Sequence, residues 1–395
     1  MNLQKILVTT SSYPKGAGDA SGVFVEELSK RLTGDFEVFV LAPYSKGSLK
    51  TEFKEEVRIS RFKYWPGKNL LADGAIMASL RKNKWLYFQV IPFLVCQLFA
   101  LKKIIKTDNI GIIHAHWLIP QGFVAVIYKR LFHKSIRIFG TIHGSDLNGF
   151  KNRFGRFLLK FVLKNIDELS VVSNSIKEDV KKLGYAKEVF VYPMGVDTTI
   201  FHPGKKDPDF KQKLGIKGNC ILFVGSIIEA KGIRHLIQAM PLVLRELPET
   251  ALLVVGDGNL KEEMKQLAHQ LVIAQNVIFT GKIPHSELPP YFASADVFVL
   301  PSFSEGFGLV VAEALSSGTL TIASNLKPIN DIIIEGETGF YLADINPPDI
   351  AERIIFVLKN QNDFQSIKEK GRKHIVDNFG WPYITKNYRN LIKTI

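Results

Sequence analysis

Short runs of aliphatic and β-branched residues recur along this chain, most of them separated by a segment long enough for a helix, and that alternation admits few folds. In the first half the runs are residues 3–10, 37–42, 110–116, 136–142, 169–173 and 189–193. Apolar residues make up half or more of every run, without strict alternation with polar ones. Strands buried on both faces read this way, so each block predicts a parallel sheet covered by helices. Over residues 195–217 the pattern breaks, and glycine, proline and charge cluster as in a linker. It resumes at 220–224, 251–255, 277–280, 297–300, 320–323 and 339–342. A chain of 395 residues also exceeds the roughly 250 to 300 that one core usually holds. The expectation is α/β: two facing doubly wound domains, residues 1–200 and 201–375, with a cleft at the linker.

The net charge of +13 is confined to one of these halves. Residues 1–200 carry 30 Lys and Arg against 17 Asp and Glu, whereas residues 201–395 carry 21 of each kind. A one-sided basic surface fits nucleic acid, an anionic membrane or an anionic substrate. Neither zinc-ligand spacing nor an aromatic ribonucleoprotein signature accompanies it, so no nucleic-acid partner is expected.

Two basic stretches also carry large apolar residues. Within 151–164, Arg153, Arg156, Lys160 and Lys164 form one helical stripe with Phe154, Phe157, Leu158 and Phe161 beside it, the pattern of a basic amphipathic helix. Within 81–106, an apolar core from Trp85 to Leu101 holds Gln89, Pro92 and Gln97 and is shorter than the roughly 20 residues a spanning helix needs. It reads as peripheral or core-packed, and the two stretches together point to an anionic membrane surface. Cys96 and Cys220 lie among apolar residues and frame neither a disulfide network nor a metal cluster. The first residues read as a strand and not as a secretory signal. The expected location is therefore cytoplasmic, peripheral on the inner face of the cell membrane.

The densest chemistry lies in Pro301-Ser-Phe-Ser-Glu305-Gly-Phe-Gly-Leu309-Val-Val-Ala-Glu313-Ala. A strand ends before it and a helix follows, so glycines sit at a strand-to-helix junction. A helix starting near Gly306 or Phe307 aims unpaired N–H groups into that junction, which suits phosphate. Lone glutamates are usually solvated. Leu-Val-Val-Ala-Glu-Ala-Leu is so apolar, however, that Glu313 falls on a mostly buried element, where a carboxylate needs a partner. Hydroxyls of a phosphate-bearing ligand would supply one.

This segment resembles the signature of the family 4 retaining glycosyltransferases, enzymes of the GT-B fold that use nucleotide-sugar donors, and the resemblance extends over nearly the whole chain. It implies that Glu313 holds the nucleotide ribose, that Glu305 lies beside the donor sugar, and that the amides of Phe307, Gly308 and Leu309 meet diphosphate and sugar. In Phe223-Val-Gly225-Ser226-Ile-Ile-Glu-Ala-Lys231-Gly232, Lys231 falls on the family's diphosphate lysine, while Ser226 stands where an arginine is usual. A lysine at a helix start is by itself more often solvated. Thr141-Ile-His143-Gly resembles the histidine motif near the donor sugar, and His114-Ala-His116-Trp117 a variant common among enzymes with lipid-linked acceptors. Taken alone, a histidine is more often structural, and two in strand alternation lack the third ligand of a metal site.

In the loop Gly16-Ala-Gly18-Asp-Ala-Ser21-Gly22, Gly22 matches the second of a usual glycine pair, and Thr280-Gly281-Lys282-Ile283 matches the nucleobase-contacting turn. Residues 376–395 resemble the family's helix returning to the first domain. The expected architecture is thus two Rossmann-like domains of the GT-B kind. Residues 1–200 bind the acceptor and face the membrane, and residues 201–375 bind the nucleotide sugar.

No D-x-D aspartate pair followed by an apolar platform occurs, so no metal or other cofactor is expected. Lys231 and helix amides would meet the leaving diphosphate instead. The expected activity is retaining transfer from a nucleotide sugar, a UDP-sugar first and a GDP-sugar second, to a lipid-linked or cell-surface glycan acceptor. A nucleotide-sugar epimerase or phosphorylase on the same fold, or a basic lipid- or nucleic-acid-binding protein with a decayed site, remains the alternative.

Overall fold

The computed structural model describes residues 3–16, 21–65, 70, 76, 79–80, 83–150 and 152–395. Gly18, Arg81, Lys82 and Lys151 of the stretches above lie outside the described residues. Two compact units result: Met1–Pro193 with Ile384–Ile395, and Met194–Tyr383.

The first unit is an eight-stranded sheet of order β3-β4-β2-β1-β5-β6-β7-β8. Its strands are β1 Gln4–Thr9, β2 Phe36–Pro43, β3 Thr51–Lys54, β4 Val57–Phe62, β5 Ile112–His116, β6 Arg137–Ile142, β7 Glu168–Val171 and β8 Phe190–Val191. Every pairing is parallel except that of β3 with β4. Ile6, Leu7, Val40, Ile113, Ile138 and Leu169 are essentially unexposed, as strands sandwiched between helix layers require. The hairpin β3–β4 escapes the sequence pattern because Glu55 and Glu56 turn it at φ 49° and 65°, where asparagine and glycine are the usual signal.

The second unit is a six-stranded, all-parallel sheet of order β11-β10-β9-β12-β13-β14. Its strands are β9 Cys220–Val224, β10 Ala251–Val255, β11 Val277–Gly281, β12 Val297–Leu300, β13 Leu320–Ser324 and β14 Phe340–Leu342.

Both expected boundaries shift. The chain enters the second unit at Met194, before residue 200, because Val196 bridges Gly380 and the carbonyls of Thr198 and Phe201 accept from Arg372. The segment that rejoins the first unit begins at Ile384 and not at residue 376. There Ile384, Tyr388 and Ile392 are buried, and Arg389 donates to the Arg31 carbonyl at 2.7 Å.

The stretch 84–108 is more continuous than its sequence suggests. A single turn of 3-10 helix, Lys84–Leu86, runs into an α-helix, Tyr87–Asp108, which carries Pro92 within it. By length and composition this is one helix capable of crossing a membrane. Its Phe93, Gln97, Leu101 and Ile105 are buried in the unit, while Trp85, Phe88, Ile91 and Phe99 are 61–76% exposed.

Candidate active site

In the second sheet β9 lies between β10 and β12, so the connections leave it in opposite directions and open a crevice at its carboxyl end. Two loops meet there, 225–232 after β9 and 301–308 after β12. The Phe303 amide donates to the Ala230 carbonyl at 2.9 Å. Gly232 sits at φ +65°, and a Cβ on it would stand 1.9 Å from the Pro301 carbonyl oxygen, so only glycine lets the loops approach this closely. The approach brings Lys231 Nζ within 2.6 Å of Glu305 Oε1, an oxygen that also accepts from Ser302 Oγ at 2.7 Å. Glu305 is 7% exposed and Lys231 21%. Each is the other's counter-charge.

The helix after this loop begins at Leu309, two residues later than the sequence suggests, and ends at Ser316. Its N-cap is Gly308 at φ +94°, where a Cβ would press on Ile329 Cδ1 at 2.4 Å, and no side chain caps the end. Val311, Ala312, Ala314 and Leu315 are buried, and Glu313 is buried with them at 2% exposure. Glu313 Oε1 accepts from His285 Nε2 at 2.7 Å, while Oε2 is buried without a partner. His285 stands in the turn His285–Glu287 that follows β11, Gly281 and Ile283, and its ring lies 5.1 Å from that of Phe201.

In the first unit, β5 and β6 pair with His116 opposite Thr141, which places His143 just past the strand end beside His116. His116 Nδ1 and His143 Nε2 are 3.0 Å apart, and their rings stack at 17°. His114 Nε2 bonds Thr141 Oγ1 at 2.8 Å, leaving its Nδ1 buried and unpaired. Burial, with His143 close by, pushes His114 down to about 3, and burial alone pushes His143 to about 3. Burial, reinforced by His114 and His143, also drives His116 well below the ordinary range. All three imidazoles are neutral at pH 7, so one of the facing nitrogens donates and the other accepts. Beside them, burial lifts Asp146 to about 6 against the pull of the Leu118 and His143 amides, which it accepts at 2.8 and 3.3 Å. Phe24 and Trp117 lie against His143 with ring centroids 5.0 and 4.7 Å away.

Residues 21–200 match the family model described as Glycosyltransferase Family 4, and residues 206–374 the one described as Glycosyl transferases group 1. The chain is a family 4 glycosyltransferase of the GT-B fold. It is 25% identical over 397 residues to an uncharacterized glycosyltransferase of Methanocaldococcus jannaschii, covering 100% of this chain and 99% of that one. It is 28% identical over 391 residues to a GDP-mannose-dependent alpha-(1-6)-phosphatidylinositol monomannoside mannosyltransferase of Mycolicibacterium smegmatis, covering 95% of each. Among solved structures, sucrose-phosphate synthase from Thermosynechococcus elongatus shares the fold with a TM-score of 0.79 at 21% identity, over 99% of this chain and 100% of that one.

Within this glycosyltransferase the second unit therefore gathers Lys231, Glu305, Phe307, Gly308, Leu309 and Glu313 around the ends of β9 and β12. Gly281 and Ile283 lie on the turn that His285 ties to Glu313. Ser226 is exposed on the loop after β9. Gly22 caps the helix Val23–Leu32, whose Phe24 reaches His143.

One assignment changes. His116, expected on the acceptor side, is 1% exposed and supports His143 instead, because strand alternation turns it inward beside His114. Glu305, expected beside the donor sugar, is held in this structure by Lys231 and Ser302. Arg153, Arg156, Lys160 and Lys164 are exposed on the helix Arg153–Asn165 as expected from its period, next to Phe154 and Phe157 at 70% and 64% exposure.

Sequence reasoning missed His285. Its only signal was a position four residues after Gly281.

Among the described residues no group of three His, Cys, Asp or Glu side chains is placed to hold a metal ion. A cavity of about 470 Å³ lined by Lys206, Asp296, Gly318, Lys368 and Arg372 opens at the amino ends of β12 and β13, away from the glycine turns, and contains none of the site residues.

Proposed function

We propose that this glycosyltransferase retains the anomeric configuration and moves a sugar from a nucleotide donor to a lipid-linked or cell-surface glycan, without a metal. The observation that carries the donor half is the meeting of Lys231, Glu305 and the Gly308-capped helix with buried Glu313 at the sheet's reversal point. A diphosphate there takes Lys231 and the free helix amides as its counter-charge, leaving Glu305 to accept from sugar hydroxyls and Glu313 Oε2 from the ribose.

The acceptor hydroxyl attacks the anomeric carbon on the face that the diphosphate leaves. The bond to the diphosphate oxygen breaks, and that oxygen takes the acceptor's proton. His143, neutral at working pH, steadies the sugar's developing positive charge without repelling it.

UDP-sugars are the first donors to test and GDP-sugars the second. The mycobacterial relative is named for GDP-mannose and for a phosphatidylinositol-based acceptor, which supports the guanosine arm and the lipid acceptor. We further propose peripheral attachment to the inner face of the cell membrane through the exposed face of residues 84–108 and the basic helix Arg153–Asn165.

The test is transfer from UDP- and GDP-sugars in the presence of EDTA, with Lys231→Ala and Glu305→Gln alongside. Each variant is expected to lose about 100-fold or more, the scale of removing a preorganised charge from a transfer site. Unchanged transfer in both variants refutes the site. Quantitative isomer or free sugar formed from the donor alone supports the epimerase or phosphorylase reading. Activity abolished by EDTA and restored by a divalent cation refutes metal independence.

A further inference from the structure

Glu313 and His285 are far apart in the sequence, yet one holds the other. A carboxylate accepts hydrogen bonds only, so the 2.7 Å contact requires the proton on His285 Nε2. The carboxylate of Glu313 is thereby fixed about its last torsion, with Oε1 used and Oε2 buried and unpaired. A buried carboxylate oxygen without a donor is costly to maintain, and the helix Leu309–Ser316 around it is apolar. The side chain is thus held ready for a hydroxyl from outside the protein. His285 belongs to the same turn as Gly281 and Ile283, at the carboxyl end of β11, whereas Glu313 lies beyond β12. Their contact ties the turn that would meet the base to the carboxylate that would meet the ribose.

We propose that His285 is a positioning residue for the donor's ribose. It acts through Glu313, orients Oε2 toward the ribose hydroxyls and keeps the nucleobase turn in register with them. This rests on the donor-site reading given above. Binding of the free nucleotide is where the effect falls, because His285 touches neither sugar nor phosphate in this scheme. A charge-assisted hydrogen bond is lost with it, and the ribose carboxylate is left free to turn.

The experiment measures binding of UDP and GDP, and of the 2′,3′-dideoxy form of whichever binds, to the wild-type chain, His285→Ala, His285→Gln, Glu313→Ala and the double variant His285→Ala/Glu313→Ala. Donor KM and kcat are measured in parallel, and unfolding transitions confirm that each variant is folded. His285→Ala is expected to weaken nucleotide binding and raise donor KM about tenfold, with kcat changed less than twofold. Glutamine carries an amide N–H to the same oxygen and is expected to recover most of the loss. The double variant is expected to bind no worse than Glu313→Ala, and the dideoxy nucleotide to bind wild type and His285→Ala alike.

If Glu313→Ala weakens binding but His285→Ala matches wild type, the role of His285 is overturned while the donor site stands. That role is equally overturned if His285→Ala weakens the dideoxy nucleotide as strongly as its parent. If neither nucleotide binds wild type, or Glu313→Ala leaves binding unchanged, the donor reading itself is overturned.

Discussion

Acidification from pH 7 to pH 5 is expected to destabilise the first unit, and the histidine stack sets how much. His114 and His116 are held neutral by burial, far below the 6.5 at which an unfolded imidazole takes its proton. The folded pKa is depressed for a group that gains charge on protonation. Below pH 6.5 the unfolded chain therefore binds protons that the native chain refuses, and stability falls with pH. Between pH 7 and 5 each withheld proton costs about 1.9 kcal/mol, from the linkage integral with the unfolded value of 6.5.

Asp146 works the other way. Its folded value of about 6 exceeds the unfolded 3.8, so it is protonated first in the native state and returns about 1.3 kcal/mol over the same interval. The net loss is about 2.5 kcal/mol when only His114 and His116 withhold protons, and about 4 to 5 kcal/mol when His143 does so fully. His143 is only half-buried, and solvent on its open edge places the expected loss toward the lower figure.

Urea unfolding at pH 7, 6 and 5 measures this directly, with Trp117, 4.7 Å from the His143 ring, as the fluorescent reporter. His114→Phe preserves the ring that stacks at 4.4 Å on Phe139 and removes one titrating site, so its pH-dependent loss is expected to be about 1.9 kcal/mol smaller. A loss under about 0.5 kcal/mol between pH 7 and 5 would refute the reasoning. So would imidazole resonances of His114 or His116 titrating near 6.5 in the folded protein.

Gly232→Ala is expected to cost at least about 2 kcal/mol, since it adds a contact at 1.9 Å to an unfavourable φ, and to weaken nucleotide binding by displacing Lys231. Gly215→Ala, at φ +70° with open space around it, isolates the backbone contribution at about 1 kcal/mol, and equal costs in the two variants would exclude loop contact as the cause. Binding to phosphatidylglycerol vesicles is expected to fall at least tenfold on replacing Trp85 and Phe88 with serine, and likewise for Phe154 and Phe157. Charge reversal at Arg153 and Arg156 should weaken the binding and flatten its salt dependence by removing about 1 kcal/mol per charge. Unaltered sedimentation of all three variants with the vesicles would rule out this face.

Both sheets were legible because parallel strands are apolar on both faces, which leaves runs such as Cys220–Val224 and Val297–Leu300 visible between glycine turns. The helix carrying Glu313 was legible for the same reason: burial of its surroundings forces the question of what a carboxylate does there. Contacts made at a distance along the chain were not visible. His285 lies 28 residues from Glu313, and Lys231 74 from Glu305, so nothing local marks either pairing. His116 was expected on the acceptor side because strand alternation places it with His114 on one face without saying that the face is covered. The domain boundary shifted because charge and proline after residue 200 resemble a linker, while Thr198 and Phe201 are held by Arg372, far along the chain. Gln89 and Gln97 make the helix through Pro92 look interrupted in the sequence, yet Gln97 is buried within it.

Lys231 resting on Glu305 has a consequence for turnover under the proposed chemistry. When the sugar has left and the nucleotide diphosphate remains, Lys231 still faces phosphate while Glu305 has lost its sugar and keeps only Ser302 as a donor. A nearly unexposed carboxylate in that condition is unstable, and departure of the product lets the ion pair close again. The empty site is then a spring that competes with spent nucleotide, and weakening it should convert a fast-releasing enzyme into one throttled by its own product.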